Sequence, residues 1–179
     1  SEGRAIRHAV GEAREGSAWA LLDALGMTLG ELNRAAEVLD RASAASRYIA
    51  RLFEGGKLTA EDLDYPKSET EKVRQIAAKI ADGVTVTAPE AVKPLNAAAT
   101  EAAKLAREMG KKSKDVEAAK QIAENLNLAA GGVRKTMGVT ADKLIVAIKA
   151  ELTGVVALQG EINKLLGGPS LPAAPQTHT

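Results

Sequence analysis

The sequence has no cysteine, which excludes disulfides and thiol chemistry. Aromatic residues are only 2% of its 179 residues, namely Trp19, Tyr48, Phe53 and Tyr65, so the core cannot be built from rings. Neither sign of charge prevails: 24 basic residues face 23 acidic ones, for a formal charge of +1. That balance argues against nucleic acid, or a generic anionic membrane surface, as partner. No run approaches the roughly 18 uncharged apolar residues of a membrane span. The opening "SEGRAIRHAV" lacks the apolar stretch of a secretory signal, so an exported form would have lost its signal before this point.

Chemistry-bearing groups are equally sparse. The two histidines, His8 and His178, stand near the two termini, and no set of metal ligands converges around them. Ser, Thr and Asp abound, but no base is spaced to activate a nucleophile. "GGVRKTMG" lacks the spacing of a phosphate-cradling loop and follows a helical pattern, so it reads as helix punctuation. The sequence therefore predicts no catalytic residue, no cofactor-binding residue and no metal ligand, and an enzyme is not expected.

What is present is alanine, about a fifth of the chain, within a hydrophobic fraction of 45%. Alanine loses no side-chain entropy in a helix and leads the propensity scale. It also buries little area, so alanine-rich helices must run close together over a long distance. Between Ser17 and Glu54 no proline occurs, and Leu22, Leu25, Leu29, Leu32, Ala36, Leu39, Ser43, Ser46, Ala50 and Phe53 recur three and four apart. This spacing predicts one helix, with Gly26 and Gly30 as places to bend and Gly55-Gly56 as its stop. Its small seam residues let a partner helix approach closely.

Further on, Thr59 reads as the cap of a single turn and Tyr65-Pro66 as a break. Ser68 with Glu71 reads as a capping box opening a helix that ends at Asp82-Gly83. "VTVTAP" reads as an extended connector, and Pro89 opens a helix to Gly110 in which Pro94 distorts the first turns. Ser113 is the expected cap of the next helix and Gly131-Gly132 its end, with Gly131 to Gly138 alternatively a kink in a longer helix. Thr140 then opens a last helix with Ile145, Ile148, Leu152, Val155, Ile162 and Leu166 inward.

The fold class expected is all-α: an elongated antiparallel helical bundle with a long N-terminal and a long C-terminal helix, and shorter helices between. Residues 1–168 are expected to form the single bundle domain. Lys111, Lys112 and Lys114 form the densest basic cluster, in which Lys111 and Lys112 suit the C-terminal end of a helix, with an anion-binding patch as the alternative; Glu37–Arg41 and Glu108–Lys112 are spaced as ion pairs on solvated faces. Trp19, Tyr48 and Phe53 would plug the ends of the core, or would bind a ligand if exposed at a tip. Residues 169–179 have prolines at 169, 172 and 175 and no charged residue, which gives an extended spacer or a plain linker.

Cysteine-free, alanine-rich helices with 16 Glu against 7 Asp, the seam "LNRAAEVLDRASAASRYIARLF" and a proline-bearing C-terminal spacer carry a resemblance. In composition and texture, over most of the chain, the sequence resembles the glutamic acid/alanine-rich surface proteins of African trypanosomes of the congolense type. The resemblance implies a bundle similar in architecture to variant surface glycoproteins. It also implies expression on insect-stage parasites and a glycosylphosphatidylinositol (GPI) anchor added beyond the C-terminal tail. The expected function is a non-enzymatic coat protein at the cell surface, in the outer leaflet of the plasma membrane, with the membrane and neighbouring copies of itself as partners. No N-x-[ST] sequon is present, and Thr177 and Thr179 leave other glycosylation open. The alternative is a helical receptor or adaptor that grips a protein ligand. A contiguous exposed apolar patch would favour that alternative, and an evenly polar exterior would favour the coat. A lipid carrier is a further, weaker alternative.

Overall fold

The computed structural model describes residues 17–166, and all its regular secondary structure is helical. Four α-helices follow one another: α1 (Ser17–Gly55), α2 (Asp64–Gly83), α3 (Val92–Gly110) and α4 (Val116–Leu165). Single 3-10 turns at Glu61–Leu63 and Pro89–Ala91 lead into α2 and α3. The fold is the expected helical bundle with long first and last helices. His8, His178 and the proline tail at 169–179 lie outside the described residues.

Two compact units divide the chain. The larger, Met27–Ala141, is a four-helix bundle whose core joins Leu32, Leu39 and Ile49 of α1 with Val73 of α2, Leu95 and Leu105 of α3 and Leu126 of α4. Alanines fill the gaps between these larger chains: Ala35, Ala42, Ala98, Ala102, Ala119 and Ala130 are at most 2% exposed. The predicted α1 seam is buried from Leu32 through Phe53. Across it, the Ser43 hydroxyl donates to the Ala123 carbonyl at 2.8 Å and the Ser46 hydroxyl to the Ala119 carbonyl at 2.6 Å. Rising numbers on α1 pair with falling numbers on α4, so the two helices run antiparallel here, tied at their margins by Asp40–Arg134 and Glu54–Lys120.

Among the described residues, the smaller unit groups 17–26 of α1 with 142–166. In it Leu25 is buried and Trp19 half-buried.

Several expected boundaries move. α4 runs unbroken through Gly131-Gly132 and Thr140, so these residues neither end nor open a helix. Thr140 is fully buried, and its hydroxyl donates to the Thr136 carbonyl at 2.9 Å, which satisfies it inside a helix. Of the inward stripe expected beyond it, Ile145, Ile148, Leu152 and Leu166 are exposed by 42% to 61%, Ile162 is half-buried, and the Val155 side chain lies outside the described part.

The capping box at Ser68 is also displaced, because α2 already begins at Asp64. Pro66 sits in its first turn, where a missing N–H costs nothing, so Tyr65-Pro66 lies within the helix where a break ahead of it was expected. Thr59 caps as expected: its hydroxyl accepts from the Asp62 N–H at 3.3 Å while its own N–H donates to the Asp62 carboxylate at 2.9 Å. The α4 cap is Asp115, not Ser113, accepting from the Ala118 N–H at 3.0 Å. "VTVTAP" is a tight turn, not an extended connector, with the Ala88 N–H donating to the Val84 carbonyl at 2.8 Å.

Candidate functional site

Gly132 brings α4 close to α3: a Cβ built there would lie 3.0 Å from Cβ of Pro94. Pro94 is tolerated within the first turn of α3, where the sequence suggested distortion, and its ring packs on the glycine. Seven residues along α3, Glu101 accepts a hydrogen bond from the Asn125 amide at 2.6 Å, which ties the two antiparallel helices together again. Between these two ties the facing residues include Ala97 and Ala129, whose short side chains leave a groove.

The groove has a volume of about 650 Å³, within the range of small-ligand sites. Its walls are apolar at Pro94, Leu128 and Val139, and Leu128 is 72% exposed. One end is closed by a polar chain. Gln121 donates to Asn125 at 3.0 Å, Asn125 donates to Glu101, and Lys104 pairs with the second Glu101 oxygen at 2.8 Å. Both carboxylate oxygens of Glu101 are thus taken, although the residue is 6% exposed.

The other end is electrostatically open. Lys93, Lys135 and Glu90 line it, and among the described residues none of the three has an oppositely charged group within 4.0 Å. Two amines against one carboxylate leave a local excess of one positive charge. The Thr136 hydroxyl beside them is spent on the Gly132 carbonyl at 3.0 Å.

Sequence reasoning gave "GGVRKTMG" and Pro94 purely structural roles and missed this groove. A signal was available: small residues at Ala97, Ala129 and Gly132 keep two neighbouring helices from filling the space between them, and Leu128 stands beside them on an exposed face.

Other expected features resolve as structure. Lys114 donates to the Met109 carbonyl at 3.0 Å and the Lys111 carbonyl at 2.5 Å, so the helix-end role expected of Lys111 and Lys112 is taken by Lys114. The same amine lies 5.4 Å over the Phe53 ring, itself 8% exposed, and Tyr48 meets Tyr65 edge to face at 6.0 Å. The two expected ion pairs change partners. Arg41 reaches the buried Glu69 of α2 at 3.5 Å in place of Glu37, and Glu108 pairs with Lys111 at 2.5 Å in place of Lys112, itself buried instead of solvated.

No group of acidic or histidine side chains among the described residues could hold a metal ion, and no helix among them is long and apolar enough to cross a membrane. No protein-family model, curated protein or solved structure matches this chain.

Proposed function

We propose that the chain is a non-enzymatic helical surface protein, held at the outer leaflet of the plasma membrane by a GPI anchor beyond its C-terminal tail. It packs beside copies of itself as a protective coat. The anchor and location rest on the sequence resemblance. The packing is supported by how the surface charge is arranged. Glu71–Arg74, Glu117–Lys120 and Glu161–Lys164 each pair three residues apart with both side chains exposed, so these charges are neutralised within a helical turn. A surface without large fields of one sign allows like molecules to stand side by side with little repulsion.

Mass spectrometry of the C-terminal peptide, taken from protein purified out of cells that make it, tests this. Ethanolamine phosphate and glycan on the terminal residue are expected. A free carboxylate on a soluble product would remove the anchor, and the receptor or adaptor reading would replace the coat. The groove between α3 and α4, with the exposed Leu128 on its wall, is the observation that favours that second reading.

A further inference from the structure

The groove in the larger unit carries an inference of its own. Its two ends differ chemically: at one end the Glu101 carboxylate is paired with Asn125 and Lys104, whereas at the other Lys93 and Lys135 hold an unmatched positive charge against Glu90. Between them runs an apolar trough with Pro94, Ala97, Leu128 and Ala129 along it. A long apolar body with one negative charge at one end matches this polarity. A dianion would exceed the local excess, and a cation would meet two amines.

We propose that this groove binds a single-chain monocarboxylate amphiphile of the fatty-acid class, as a free monomer, with its carboxylate between Lys93 and Lys135 and its chain along Leu128 and Ala97. The groove is open on one side, so the chain lies in a trough and is not enclosed in a cavity. Lys amines on flexible stems can close over a carboxylate placed between them. At the far end, each Glu101 oxygen already has a partner within the protein.

The full chain is titrated calorimetrically with octanoate, decanoate and dodecanoate below their critical micelle concentrations, and binding is mapped by amide chemical shifts. Affinity is expected to rise with chain length, by up to about fourfold per added methylene. The largest shifts should fall between Glu90 and Glu101 and between Asn125 and Val139. The double variant Lys93→Gln/Lys135→Gln should weaken dodecanoate at least tenfold without changing the melting temperature, and Leu128→Ser should flatten the chain-length dependence. Both changes are at exposed positions, so the bundle is retained. Three results would each overturn the proposal: equal binding of dodecyltrimethylammonium, shifts confined to 142–165, or affinity unchanged in the double variant. Co-sedimentation with phosphatidylglycerol vesicles that Lys93→Gln/Lys135→Gln abolishes, without binding of the free acids, would assign the groove to a membrane surface and refute the monomer.

Discussion

The Ser46 hydroxyl of α1 donates to the Ala119 carbonyl of α4 at 2.6 Å, inside a seam where neither residue is exposed to water. The bond exists because both side chains are small enough for the helices to run close. Sequence and packing are joined at that contact. A larger seam residue would have to push the helices apart before any hydrogen bond could be counted.

Ser46→Ala removes the donor but leaves the Ala119 carbonyl its helical partner. The expected loss is about 0.5–1.5 kcal/mol of unfolding free energy, the usual net worth of such a bond. Ser46→Leu adds bulk to a filled seam and should cost more, about 1–3 kcal/mol from overpacking beyond the lost bond. Urea unfolding followed by circular dichroism measures both. A leucine variant as stable as the alanine variant would show that the seam is loose.

The neighbouring glycines of α4 should respond oppositely. Nothing lies within 4 Å of a Cβ at Gly131, so Gly131→Ala should gain about 0.5–1 kcal/mol from helix propensity alone. At Gly132 the same methyl meets the Pro94 ring at 3.0 Å, and that conflict should offset the propensity gain. The expected order of melting temperatures is Gly131→Ala, then wild type, with Gly132→Ala no higher than wild type. Equal gains at both sites would mean that α3 and α4 separate easily at Pro94.

Alkaline titration tests the tie between α1 and α4. The Lys120 amine titrates above the usual lysine range, first because the Glu54 carboxylate accepts its hydrogen bond and then through the negative charges of Glu54 and Glu117. A pKa raised by folding gives stability that is complete below the ordinary lysine value of about 10.4 and is lost as pH climbs through the folded value. The Lys120 Cε resonance should therefore titrate at higher pH than that of a lysine in an unstructured peptide, and Glu54→Gln should bring it down. An unchanged midpoint in that variant would remove Glu54 as the main cause.

Much of this architecture was legible because a heptad-like spacing of Leu and Ala has one physical solution, a helix with one buried side. The seam from Leu32 to Phe53 could be read directly, as could the helix ends at Gly55, Gly83 and Gly110. Helix starts were less legible: Asp115 caps α4 where Ser113 was expected, and α2 begins at Asp64, ahead of Ser68. Glycine misled most: Gly132 marks close packing on Pro94 where the sequence suggested a stop or, alternatively, a kink in a longer helix. The groove was missed for a related reason, since its signal lies in which small residues face each other across two helices. Spacing along one helix does not reveal that.

Lys114 holds the connection from α3 to α4 shut by one positive charge, which serves two backbone carbonyls and the face of Phe53 together. Acylation of that amine would remove the charge and leave a single N–H where three contacts are now served, so the closure of this end of the bundle is set by the chemistry of one nitrogen.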